Sequence, residues 1–125
     1  MDNRNRWVLL KHFSSSDDLN EFHFDLLLED GGQCRSWRLS DIPELDGPGL
    51  DVVAISPHSL SWLNSSGRAV SGGRGFAFPV SSGFFLGKLP SNEASSLKIE
   101  LIGQELNGLI EIAKNQCFFR SSVSM

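Results

Sequence analysis

The chain has 125 residues, of which 40% are hydrophobic and 21% charged, with a formal net charge of −4. This supports one sizeable core and leaves too little chain for two, so a single domain over 1–125 is expected. The acidic balance argues against strong nonspecific nucleic-acid binding, which needs Lys and Arg to neutralise phosphates, and no apolar run approaches the roughly 20 residues that span a bilayer.

Short segments alternating apolar and polar residues, separated by glycine-rich turns, predict antiparallel β structure. Met1 to Arg6 leads into a strand pattern and not a signal-peptide core, so a cytoplasmic protein is expected. The candidate strands, in chain order, are Trp7 to Phe13, Phe22 to Glu29, Cys34 to Leu39, Val52 to Ile55, Phe76 to Val80, Phe84 to Leu89, Leu97 to Ile102, Leu109 to Ala113 and Cys117 to Arg120. Ser14 to Leu19 has the composition of one short helical turn, with serine as N-cap and acids in the first turn. Asp30-Gly31-Gly32 predicts a tight hairpin, because glycine reaches positive φ without steric cost, so the strands on either side should pair. Asp41 to Leu50 reads as a surface loop, and Ser81-Ser82-Gly83 and Asn107-Gly108 give weaker turn signals. The fold class expected is all-β: a small antiparallel β-barrel with long loops and at most one short helix, since closure removes exposed edges, with a β-sandwich as the alternative. Cys34 and Cys117 are too few and too far apart for a disulfide framework or a four-thiolate zinc site, and read as buried reduced thiols or a single bridge.

The three histidines carry the candidate chemistry. In Phe22-His23-Phe24-Asp25 the imidazole and the carboxylate project to one face of a strand while the phenylalanines project to the other. With His12 from a neighbouring strand they form a set suited to Mn2+ or Zn2+ and ill suited to Ca2+, which prefers all-oxygen shells. His58, in Ser56-Pro57-His58-Ser59-Leu60, titrates near neutrality. It suits either a hydrogen bond to a phosphate oxygen or protonation of a leaving group. Between Val52 and Asn92 there is no acidic residue, whereas Arg68, Arg74 and Lys88 fall there, so a locally positive face around His58 is expected. The glycines at 67, 72, 73 and 75 open no strand-to-helix turn and make no P-loop; tight turning between strands explains them.

The order Lys11-His12, His23-Phe24-Asp25-Leu26-Leu27-Leu28-Glu29, Ser36-Trp37, Pro57-His58-Ser59-Leu60-Ser61-Trp62 and Ser66-Gly67 through Gly72 to Gly75 resembles the 3'-phosphoesterase domain of bacterial ligase D, the DNA ligase of end joining. The late strands joined by Gly103-Gln104-Glu105-Leu106-Asn107-Gly108 fit as well, so the resemblance runs almost end to end. It implies a Mn2+-dependent phosphoesterase that removes a 3'-phosphate or 3'-ribonucleotide in DNA repair. The implied metal ligands are His12, His23 and Asp25, with His58 as the catalytic group. The implied partners are nucleic-acid 3' ends and a separate DNA ligase or polymerase; a monomer is expected.

The departures from the family are specific. Its phosphate-holding arginines fall at Leu27 and Leu50, and a family tyrosine falls at Trp62, which serves either as a base-stacking surface or as core. Leu27 shares a strand face with His23 and Asp25, which makes the floor of the site more apolar. Arg68 and Arg74 are the candidates to replace the missing clamp. Losing one preorganised cation at a phosphoryl group costs on the order of 100- to 1,000-fold in rate. Two other readings therefore stand beside the enzyme: a catalytically impaired relative acting as a nucleic-acid-end or protein binding module, and a plain ligand-binding barrel.

Overall fold

The computed structural model describes residues 5–15, 20–92 and 96–122. The helical turn expected from Ser14 to Leu19 and the serine-rich end from Ser121 to Met125 fall partly outside those residues. The strands are β1 (Asn5–Phe13), β2 (Phe22–Asp30), β3 (Gln33–Leu39), β4 (Leu50–His58), β5 (Arg68–Ala69), β6 (Phe76–Leu86), β7 (Leu97–Gly103), β8 (Gly108–Ala113) and β9 (Gln116–Arg120). They pair antiparallel in the order β1-β2-β3-β4-β9-β8-β7-β6, and β6 returns to β1 to close an eight-stranded barrel, with the short β5 added on β6. The fold is the all-β barrel that the alternation predicts, and closure leaves no sandwich edge to protect. The helical element described is a 3-10 turn, Leu60–Asn64, capped by Ser59, whose side chain accepts from the Ser61 amide.

The period of two sorts the side chains. Trp7 and Leu9, Leu26 and Leu28, Trp37 and Leu39, Val52, Phe85 and the inward residues of β7, β8 and β9 fill the barrel. Their neighbours Val8, Leu10, Leu27 and Cys34 lie on the other face of the wall, where Trp62 of the 3-10 turn packs over them together with Ala77. One side of this wall thus has its own small apolar layer outside the barrel. The two thiols are split between these layers, Cys34 in the outer one and Cys117 in the core, and both are free. Burial pushes Cys34 up to about 11 and Cys117 up to about 12, so both are inert at neutral pH.

The hairpin at Gly31-Gly32 forms as expected, with Asp30 opposite Gln33 and Gly31 at φ 65°. The turn expected at Ser81-Ser82-Gly83 does not form, and the two short strands expected around it are one strand, β6. Gly83 is needed there for close approach: a Cβ would lie 1.9 Å from the Ile102 carbonyl oxygen of β7. The sharp reversal between β8 and β9 is made by Lys114 and Asn115, both at positive φ, a pair of conformations typical of a type I' hairpin.

Candidate functional site

Facing strands bring the histidine set together. In the β1–β2 ladder His12 lies directly opposite His23, and Leu10 opposite Asp25, so the three polar side chains emerge from one patch of the outer face. His12 Nδ1 is 2.9 Å from His23 Nε2, and Asp25 Oδ2 is 3.7 Å from the first and 3.5 Å from the second. A divalent ion 2.0–2.2 Å from each donor would set donor-to-donor edges of roughly 3.0 Å in octahedral and 3.4 Å in tetrahedral geometry. The observed triangle fits such an ion within a few tenths of an ångström. Among the described residues His12, His23 and Asp25 are the group of this kind.

The surroundings orient these donors. His12 Nε2–H donates to the Arg74 carbonyl at 2.6 Å, which leaves Nδ1 of the neutral ring as the lone pair facing His23. A backbone carbonyl holding the far N–H of a ligating imidazole is the usual way such a ring is fixed. Arg74 can reach His12 because Gly75, at φ 85°, presses against β1, where a Cβ would stand 1.8 Å from the Phe13 carbonyl oxygen. Asp25 is 2% exposed. It is paired through Oδ1 with Arg38 Nε at 3.3 Å, while Oδ2 faces the two imidazoles. Burial lowers the His23 pKa from its ordinary value; Asp25 opposes the shift, and the charges of Arg38 and His12 reinforce it. A neutral imidazole, ready to coordinate, is the favoured form.

His58 reaches the same face by a bulge in β4. Leu39, Trp37 and Ser36 of β3 face Val52, Ala54 and Ile55 in regular register, but Cys34 faces His58, so β4 carries one extra residue around Ser56 and Pro57. A bulge re-aims the side chains beyond it and tolerates a proline, which has no N–H for the ladder. The Ser36 hydroxyl donates to the Cys34 carbonyl at 3.2 Å. Its oxygen then accepts from His58 Nδ1–H at 2.7 Å, which places the lone pair of the neutral ring on Nε2. Burial lowers the His58 pKa, opposed in part by the Asp25 carboxylate and a backbone hydrogen bond at Ser56. Of the two roles expected for His58, protonating a leaving group needs the imidazolium that burial disfavours.

These groups open onto a cavity of about 650 Å3 lined by His12, Asp25, Arg38, His58, Trp62, Arg68 and Arg74, among others. His23 is not part of that lining. Asp25 is the one acidic residue among the lining groups, against three arginines, so the cavity favours anions although the chain is acidic overall. Trp62 is 8% exposed, and Arg68 lies over its ring with the guanidinium carbon 4.0 Å from the centroid. Its face is therefore taken by Arg68 and is not open to a base. Arg68 also donates to Ser61 Oγ at 2.7 Å, and Arg74 Nε donates to the Ser71 carbonyl at 2.7 Å.

The positions of the missing family arginines separate. Leu27 is fully buried in the outer apolar layer directly below the site. Leu50 packs on the barrel core opposite Cys117, at the far end of β4, about 26 Å along an extended strand from His58. A cation at Leu50 would not enter this cavity. Arg38 is the site residue that motif reading passes over: it faces Asp25 across β2–β3, its side chain is 43% exposed, and Nε alone is engaged among the described contacts. A signal for it exists in the sequence, because a two-residue turn pairing Asp30 with Gln33 also pairs Asp25 with Arg38.

No family model matches this chain, and no curated protein matches it either. Among the described residues no helix is long and apolar enough to cross a membrane.

Proposed function

We propose that this chain is a metal-dependent phosphoesterase acting on nucleic-acid 3' ends, a divergent relative of the 3'-phosphoesterase domain of bacterial ligase D with a part in DNA repair. The observation that carries the reading is the three-donor set of His12, His23 and Asp25 at the edge of a cavity that also holds His58 and three arginines. Three protein donors with the remaining positions open is the usual form of a catalytic metal site. Mn2+ or Zn2+ bound there would neutralise charge on the phosphoryl oxygens and help orient the ester.

The chain's own residues supply the rest. Arg38 lines the cavity beside Asp25, with Nε the donor engaged among the described contacts, and planar bidentate donation by a guanidinium suits phosphate oxygens. Arg38 thereby takes the part that the family assigns to the position of Leu27. Neutral His58 accepts through Nε2, so its role is to take the proton of the attacking water as the water oxygen bonds to phosphorus. The phosphorus-to-3'-oxygen bond breaks, and the leaving oxygen gains its proton from solvent. Arg68 and Arg74 add positive potential to the walls.

The test is release of inorganic phosphate from a DNA strand ending in a 3'-phosphate, by metal-loaded protein and by Asp25→Ala. Release that depends on Asp25 supports the reading; no release from protein with demonstrated metal occupancy sinks it. The engagement of Arg68 by Trp62 and Ser61, and of Arg74 by Ser71, favours one second reading. In it the chain binds nucleic-acid ends without cleaving them, and binding of a 3'-phosphate strand without turnover would select it.

A further inference from the structure

The strand ends that carry the candidate site carry a second feature on their opposite face. Phe13 follows His12, Phe22 and Phe24 flank His23, and Phe76 and Phe78 flank Ala77, a cavity-lining residue. By alternation these phenylalanines face the barrel mouth while the histidines face the cavity. Ladder pairing of Phe13 with both Phe22 and Phe76 gathers the rings at one rim. They form an unbroken row, with centroid separations of 6.5 Å for Phe76 and Phe78, 5.9 Å for Phe78 and Phe13, 5.9 Å for Phe13 and Phe22, and 5.8 Å for Phe22 and Phe24. Phe22 and Phe76 are 45% and 42% exposed. Lys11 Nζ stands 4.1 Å from the Phe22 centroid.

We infer that this rim is a stacking surface for unpaired bases, so that the substrate is the 3' end of a single strand. The inference rests on reading the cavity as a site for nucleic-acid 3' ends. A row of rings with two exposed members, Phe22 and Phe76, has many possible occupants taken alone; two features select this one. The first is charge: Lys11 at the rim and Arg38, Arg68 and Arg74 in the cavity put cations on both sides of the wall, which suits a polyanion. The second is continuity, since each ring is one residue from a group of the site and a strand folding over the wall passes from cavity to rim within a few nucleotides. Aromatic faces bind unpaired bases with little regard to sequence. In a duplex the bases are already stacked on one another, so only its terminal pair offers a free face. Trp62, 8% exposed with Arg68 on its ring, offers little such face, whereas Phe22 and Phe76 keep nearly half of their surface exposed and are the rings of the row that a base can reach.

The experiment measures fluorescence anisotropy with a short oligothymidylate ending in a 3'-hydroxyl, and with the same strand in a blunt duplex, so that binding is read apart from phosphate chemistry. The single strand is expected to bind more tightly than the duplex. Phe22→Ala and Phe76→Ala should each weaken it roughly 5- to 150-fold, the stacking contribution of one base, without changing the metal-induced rise in melting temperature. Phe22→Trp should restore the affinity. Equal binding of strand and duplex, no binding, or unchanged affinity in both alanine variants would overturn the inference. Self-association of the wild type lost in these variants, with no strand binding, would assign the rim to a second copy and overturn it too. Strand binding through these rings without phosphate release removes the phosphoesterase reading and leaves the rim assignment standing.

Discussion

His12 Nε2 donates to the carbonyl of Arg74 at 2.6 Å, and this fixes Nδ1 as the nitrogen that neutral His12 turns towards His23, 2.9 Å away. A contact between β1 and the loop before β6 thus sets the tautomer of a residue whose partners lie on β2. If the three donors form one site, addition of Mn2+ should raise the melting temperature, since a ligand that binds only the native state shifts unfolding by mass action. At 100 times the dissociation constant the shift is about 2.7 kcal/mol. His12→Ala and Asp25→Ala should abolish it, whereas His58→Ala should keep most of it. An equal metal response in wild type and Asp25→Ala would refute the assignment.

Stability of the metal-free protein should fall on acidification. His23 and His58 both have folded-state pKa values lowered by burial, so below about pH 6.5 the unfolded chain binds protons that the folded chain resists. Their contribution is fully present above the unfolded value and is lost as the pH drops through the folded values. Urea midpoints measured between pH 8 and pH 5 should decline, and His58→Gln should flatten the decline. A midpoint that rises on acidification contradicts the burial argument.

Arg38→Gln should separate two effects. Removing a guanidinium 3.3 Å from Asp25 Oδ1 takes away a competing cation, so Mn2+ should bind more tightly at pH 8 by calorimetry. Turnover of a 3'-phosphate should nevertheless fall by roughly 100- to 1,000-fold, with Arg38→Lys recovering part of it. A purely structural Arg38 would lower both together.

Gly75→Ala should cost about 1 kcal/mol or more, because φ 85° disfavours any Cβ and the added atom would meet the Phe13 carbonyl. Because the same contact seats Arg74 on His12, metal affinity should fall as well. Melting curves with and without Mn2+ read both effects, and unchanged metal affinity would detach the loop from the site.

Leu27→Arg and Leu50→Arg, which restore the family residues on paper, should not create a better enzyme. Leu27 is fully buried, where even Leu27→Ala would cost about 2–5 kcal/mol and an arginine would bring an unpaired charge. Leu50 lies against the barrel core near Cys117. Circular dichroism of Leu27→Arg should show loss of the cooperative fold; a stable and more active variant would contradict this placement.

The sequence by itself determined what depends on local periodicity. Alternation placed Trp7, Leu9, Leu26 and Leu28 inward, and therefore His12, His23 and Asp25 outward together, because a strand has only two faces. The Gly31-Gly32 turn fixed the β2–β3 register and with it the pairing of Asp25 with Arg38, a consequence that motif matching hides since Arg38 belongs to no motif. It did not determine that Ser81-Ser82-Gly83 continues a strand, because a glycine kept for close approach and a glycine kept for a turn look alike in a single chain. Only the tertiary structure decided that the β4 bulge turns His58 to the Ser36 side, that the Arg74 carbonyl seats His12, that Arg68 covers Trp62, and that Leu50 lies far from the cavity. Each of these depends on closure of the sheet and on where its loops fold back, which no local pattern encodes.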